Sequence, residues 1–244
     1  MTRPVRIHTQ QNLRDGAQIS LEKQPARHLV RVLRRRIGDP VVLFNGDGRE
    51  HTGAIIDCRG PDHCTVHLTA TRIPAVESPL AITLVQAIGR GERMDWSIQK
   101  ACELGVAGIL PVFTERTEVK LAGERADKRL THWQGVAVAA CEQSGRVRVP
   151  DIDAPVPLTA AQFKVSPRFY LDPAAGLSPN VIERPDPRQA LIAIGPEGGF
   201  SEHEIAWLDR QGFRGLRLGP RVLRTETAGP AAIAVLQSLF GDWR

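Results

Sequence analysis

The chain has 244 residues, of which 42% are hydrophobic and 24% charged, a balance that predicts a folded protein with a real core, in one large domain or two smaller ones. No apolar stretch approaches the ~18 residues needed to span a bilayer and no signal-like segment opens the chain, so no membrane span and a cytoplasmic location are expected. The net charge of +5 is uneven: residues 1–72 hold 12 Lys and Arg against 7 Asp and Glu, while the remainder is balanced, which suggests a polyanionic partner for the first part.

The first part reads as β-rich, with short strands expected over Arg3–His8, Ala17–Leu21, Pro40–Phe44, Thr52–Asp57 and Thr65–Ile73. Asn45-Gly46-Asp47-Gly48 is a hairpin signal between two of them. One helix is predicted over Gln24–Arg36, with Pro25 in its first turn. At about 100° per residue, Arg27, Arg31, Arg34 and Arg35 share one face, and Leu29, Val30, Leu33 and Ile37 the other. A solvated outer face would show the same stripe. Four arginines without an acidic neighbour at helical spacing repel one another, however, unless an anion is near, which points to phosphate contact.

Pro74-Ala75-Val76-Glu77-Ser78-Pro79 reads as a linker. Beyond it, apolar strands over Leu80–Ile88, Gly108–Val112, Arg168–Leu171, Leu191–Ile194 and Gly215–Leu218 alternate with helices over Arg93–Leu104, Arg125–Ser144, Ser201–Gln211 and Ala228–Phe240. That alternation predicts an α/β domain with a largely parallel sheet. The expected division is therefore 1–73, a linker over 74–79, and 80–244.

Several familiar chemistries are absent. Gly89-Arg90-Gly91 follows a strand, but the third glycine of a dinucleotide fingerprint would fall at Met94. No P-loop signature and no serine elbow occurs. His63, Cys64 and His67 do not all face one way in a strand, and the cysteines (Cys58, Cys64, Cys102, Cys141) form no CxxC, so no metal is expected.

Two glycine-rich turns near the C-terminus carry the strongest signal. In IAIGPEGGFSEHEI an apolar strand ends at Gly195-Pro196-Glu197-Gly198-Gly199, and Ser201 with Glu204 forms a capping box that opens a helix. Glycines at such a strand-to-helix turn let the backbone approach a ligand closely, and the free N–H groups suit an oxygen acceptor. In LRLGPRVLRTETAGPAAIAVLQ a second strand runs into Gly219-Pro220 and then Arg224-Thr225-Glu226-Thr227 before an apolar helix. Either turn taken singly is explained by ordinary loop chemistry; the two together indicate a ligand site.

The pair closely resembles the end of the RsmE family of ribosomal RNA methyltransferases, in the SPOUT superfamily. RHLVRVLRRRIGD, MDWSIQKACELGVAGILPVFTERTEVK and CEQSGRVRVP resemble that family's internal blocks in the expected order, so the likeness covers nearly the whole chain. It implies a small PUA-like β-barrel domain that binds RNA, followed by an α/β SPOUT methyltransferase domain whose C-terminal segment threads a trefoil knot. General topology argues against knots; here the resemblance implies one. It further implies S-adenosyl-L-methionine as methyl donor without a metal, a homodimer with active sites at the subunit interface, and methylation of N3 of one uridine in small-subunit ribosomal RNA, free or in the assembled subunit.

Mapped onto this chain, the cofactor site would comprise Leu171, Ile194, Gly195, Glu197, Gly199, Leu218, Gly219, Leu223 and Thr225. The sulfonium donor needs little acid–base help, but the uracil N3 is nucleophilic only as its proton leaves. Arg224 is the candidate to stabilise the developing anion, with Glu226 orienting it or the RNA, or simply capping the helix. RNA contacts are expected at Arg27, Arg31, Arg34, Arg35, Arg116 and Arg146. A SPOUT enzyme acting on another RNA and a non-catalytic ribosome-assembly factor are the alternative readings.

Overall fold

A computed structural model describes residues 4–60, 62–119 and 121–243; Arg3, the expected start of the first strand, lies outside them. The chain divides into two compact units, Met1–Glu77 with Cys141–Val149, and Ser78–Ala140 with Pro150–Arg244. The segment 141–149 thus belongs to the first unit, although it lies within the stretch expected to form the second domain.

In the first unit, strands β1 (Val5–His8), β2 (Gln18–Ser20), β3 (Pro40–Phe44), β4 (Glu50–Asp57) and β5 (Thr65–Arg72) form one sheet in the order β1-β3-β4-β5-β2. The pair β1–β3 is parallel and the others antiparallel. The β3–β4 hairpin turns at the Asn-Gly-Asp-Gly signal, where Gly46 and Gly48 take φ of 91° and 96°. Ile7, Leu43, Ile55, Val66 and Leu68 form the core. Each is fully buried, which stabilises by roughly 1.5–3 kcal/mol per side chain. Phe44, Cys141 and Val147 make a second small cluster, which anchors 141–149.

The predicted Gln24–Arg36 helix is shorter and less regular. An α-helical turn, α1 (Lys23–Arg27), widens into a π-helical turn over His28–Val32, and Arg34 takes a left-handed φ of 54°. Ala26 and Leu29 reach the core, but Leu33 and Ile37 are 36% and 63% exposed. The expected two-faced stripe over the whole segment does not form. Widening shifts the register by a residue: the Leu33 N–H bonds the His28 carbonyl and the Arg35 N–H the Leu29 carbonyl, so residues beyond Val32 no longer follow a 3.6-residue period.

Within the stretch read as a linker, Glu77 is tied down in the first unit, which ends there. The Glu77 carboxylate accepts from Arg146 Nε (3.0 Å) and Nη2 (2.8 Å) and from the backbone N–H groups of Val147 (2.9 Å) and Arg148 (3.0 Å).

The second unit is α/β. Strands β6 (Ala81–Ala87), β7 (Gly108–Phe113), β8 (Asp151–Ile152), β9 (Val156–Pro157), β10 (Arg168–Leu171), β11 (Gln189–Ile194) and β12 (Phe213–Leu216) form a sheet in the order β12-β10-β11-β6-β7-β8, with β9 paired to β7. Every pairing is parallel. The helices are α2 (Arg93–Glu103), α3 (Glu124–Ser144, of which residues 141–144 count with the first unit), α4 (Glu202–Arg210) and α5 (Thr225–Phe240). The run Ala190–Ile194 in β11 is buried throughout, as expected of a parallel strand covered on both faces. Among the described residues no helix is long and apolar enough to cross a membrane.

Candidate functional site

In an open parallel sheet, ligands bind beyond the carboxyl ends of the strands, where successive connections leave in opposite directions. Here β6 connects towards β7, whereas β11 lies on its other side and leads to β12. Beyond the ends of β10, β11 and β12 lies a cavity of about 640 Å³, within the range of small-molecule sites.

All eleven residues expected at the catalytic and cofactor positions line it: Leu171 at the end of β10; Ile194 at the end of β11 with Gly195, Glu197 and Gly199 just beyond it; Leu218, Gly219, Leu223 and Arg224 between β12 and α5, and Thr225 and Glu226 in the first turn of α5. They come from three loops far apart in sequence, and the sheet order alone brings them together.

The loop after β11 is built for close backbone approach. A Cβ on Gly195 would meet the Phe200 nitrogen at 3.1 Å. Gly199 and Gly219 take φ of 69° and 80°, with nothing within 4 Å of where a Cβ would stand. The glycines therefore leave bare backbone facing the cavity. At the far side of the loop the predicted capping box is present: Ser201 Oγ accepts from the Glu204 N–H, and the Glu204 carboxylate from the Ser201 N–H. Glu204 Oε1 also accepts from the Glu115 N–H at 2.8 Å.

Arg116, expected at the RNA, is exposed and supports this same loop. Its Nη1 donates to the carbonyls of Gly198 (2.6 Å) and Phe200 (3.3 Å).

The second anchor is Thr225, the first residue of α5. Gln86, near the end of β6, donates to Thr225 Oγ1 at 3.0 Å, and that hydroxyl donates to the Gly195 carbonyl at 2.7 Å. Arg224 is the helix N-cap in extended conformation and makes no side-chain cap bond. Pro230 interrupts the helix ladder, having no N–H to give the Glu226 carbonyl.

The cavity carries three cations, Arg93, Arg221 and Arg224, and three carboxylates, Asp172, Glu197 and Glu226. Arg93 Nη1 bonds Glu197 at 2.5 Å, and its Nε stands 4.0 Å from Glu226. Burial pushes the Glu197 carboxyl up, but hydrogen bonds from its own backbone, the Arg93 guanidinium and the Arg90 backbone outweigh it and hold it below the usual range. Arg90 itself pairs with Glu118.

Sequence reasoning did not find Arg93 or Gln86. Arg93 follows the Gly89-Arg90-Gly91 turn and opens α2, and that place at a helix start just beyond β6 was the available signal. Nothing local marks Gln86.

The remaining arginines expected at RNA divide. Arg31 and Arg34 are exposed and Arg35 half-buried. Arg27 is bound to Asp62 through Nε (2.8 Å) and Nη2 (3.0 Å), so it has the acidic partner that helical spacing did not reveal. Arg146 is 6% exposed and held by Glu77, which places it inside its unit and not on a surface open to RNA.

Residues 76–237 match the model of the RNA methyltransferase domain, and residues 21–69 that of the RNA methyltransferase PUA domain. The ribosomal RNA small subunit methyltransferase E of Buchnera aphidicola is 34% identical over 97% of each chain, and that of Bacillus subtilis 29% over 93% of each. Among solved structures, a putative methyltransferase of Legionella pneumophila in complex with the cofactor SAM is 38% identical with a TM-score of 0.93, covering 99% of this chain and 100% of that one. The ribosomal RNA small subunit methyltransferase E of Neisseria gonorrhoeae, bound to S-adenosyl methionine, is 36% identical with a TM-score of 0.92 and the same coverage. This chain, with its PUA domain and its α/β methyltransferase domain, belongs to the ribosomal RNA small subunit methyltransferase E (RsmE) family.

Proposed function

We propose that the protein transfers a methyl group from S-adenosylmethionine to N3 of a uridine in small-subunit ribosomal RNA, in the cytoplasm, as a homodimer whose C-terminal segment is knotted. The observation that supports this reading is the convergence of all eleven expected site residues on one cavity, in a chain whose relatives are named ribosomal RNA small subunit methyltransferase E.

The cavity fits the cofactor. Its glycine-lined wall offers bare backbone N–H and C=O groups to an adenine, and Leu171, Ile194, Leu218 and Leu223 supply apolar cover. When bound, S-adenosylmethionine supplies an electrophilic methyl on sulfur. The protein's task is then at the uracil. Arg224, a planar cation with up to five donors, stabilises the negative charge that develops on the uracil oxygens as N3 loses its proton. The first unit supplies RNA affinity through Arg31, Arg34 and Arg35 without contributing to the chemistry.

Mass-spectrometric mapping of methylated uridines in ribosomal RNA from cells lacking the protein tests the reading: one 3-methyluridine should vanish from the small subunit and return on complementation. A modification lost from another RNA would instead make it a related enzyme with a different substrate. A titration with S-adenosylmethionine that releases no heat would make it a non-catalytic assembly factor.

A further inference from the structure

Of the three carboxylates lining the cavity, Glu226 alone has a buried oxygen, Oε2, that meets no hydrogen-bond donor among the described residues. Its side chain is 16% exposed. Oε1 faces Arg93 Nε across 4.0 Å, beyond hydrogen-bond reach. The other two are engaged. Glu197 holds the Arg93 guanidinium at 2.5 Å, and Asp172 Oδ1 accepts from the Ala174 N–H at 2.8 Å in its own turn.

A buried acceptor without a donor is disfavoured unless the ligand brings one. Backbone N–H groups and the cationic side chains of Arg93, Arg221 and Arg224 can bind anions and acceptors, but none can accept a proton at neutral pH. A uracil that presents its imide here offers the missing donor, N3–H. Glu226 also stands two residues from Arg224, on the second residue of α5, so one short segment carries both an acceptor for the proton and a cation for the oxygens. The two neighbouring carboxylates have different environments and hence different roles, a pattern known for catalytic pairs: Glu197 is committed to its ion pair, and Glu226 keeps an acceptor free.

We propose that Glu226 is the proton acceptor for N3 of the target uridine, an assignment that rests on the uridine-N3 reading above. The N3–H bond breaks towards Oε2 and leaves its electron pair on the imide. That pair forms the new N–CH3 bond as the carbon–sulfur bond breaks with its electrons to sulfur, and the proton on Glu226 then passes to water.

The test is single-turnover methylation of small-subunit RNA by the full-length protein across a range of pH, with S-adenosylmethionine affinity measured by calorimetry on the same preparations. Glu226→Gln keeps the shape but cannot take the proton. It should slow methylation by about 10²–10⁴-fold near neutral pH, leave cofactor affinity within about twofold, and narrow its deficit as rising pH lets hydroxide replace the carboxylate. Glu226→Ala, partly restored by added formate, gives the same answer should the Gln variant fold poorly. A near-normal rate in both variants, a deficit that stays constant with pH, or a loss traced wholly to weaker cofactor binding would overturn the assignment. If the wild-type product is 3-methyluridine while Glu226→Gln is unimpaired, only the role of Glu226 falls. A wild-type methyl group on another atom removes the uridine-N3 reading and this assignment with it.

Discussion

Thr225 donates its hydroxyl to the Gly195 carbonyl at 2.7 Å and accepts from Gln86 Nε2 at 3.0 Å. This one oxygen joins the end of β6, the loop after β11 and the first turn of α5. Thr225 and Gln86 are 5% and 1% exposed, so water cannot replace either bond cheaply. Thr225→Val keeps the volume and leaves two buried polar groups a partner short, which should cost about 1–3 kcal/mol of stability and weaken S-adenosylmethionine binding. Denaturant unfolding and calorimetry check both, and Thr225→Ser should recover most of each.

The two loop glycines should fail differently. At Gly199 a side chain meets no atom within 4 Å, but φ is 69°, so Gly199→Val costs ~1–2 kcal/mol in backbone strain and also intrudes on the cavity. Gly195 is not in the left-handed region; its constraint is the Phe200 nitrogen 3.1 Å from any Cβ. Gly199→Ala should therefore fold and bind cofactor less tightly, while Gly195→Ala should distort the loop itself. Crystal structures of the two variants, with cofactor titrations, would separate the effects; equal loop geometry in both would contradict this.

Removal of individual arginines should reveal unequal shares in RNA binding. Arg31→Ala and Arg34→Ala each remove an exposed charge and should lower the slope of log affinity against log salt by about one unit. Arg27 is already neutralised by Asp62, so Arg27→Ala should change the slope less. Filter binding over a salt series measures this, and a larger effect at Arg27 than at Arg31 would refute the ranking.

Glu50 links acid sensitivity to the first unit. Burial alone would push its carboxyl up, but hydrogen bonds and charges from Arg6 and Arg72 prevail and hold it below the usual range. A carboxyl with a lowered folded value stabilises fully above the ordinary range near ~4.3, and that contribution is lost as pH falls through the folded value. Unfolding free energy should thus decline as pH falls below about 4–5. Glu50→Gln should be less stable at neutral pH and show a flatter acid limb, measured by denaturant titration at several pH values.

What the sequence determined by itself is what short-range chemistry encodes. The Ser201–Glu204 capping box, the Asn45–Gly48 hairpin turn and the strand-to-helix glycine loops depend on contacts within three or four residues, and each is where spacing placed it. The apolar run of β11 marked a buried parallel strand for the same reason. Tertiary structure decided the rest. The helix at Lys23 leaves α-geometry at His28, because periodicity tolerates a one-residue widening that packing of Leu29 and exposure of Arg34 then select. Arg146 is buried because a glutamate 69 residues away reaches it. Arg93 and Gln86 meet Glu197 and Thr225 across 104 and 139 residues, since parallel strands order themselves by long crossovers, and no local pattern records which loops those crossovers bring together.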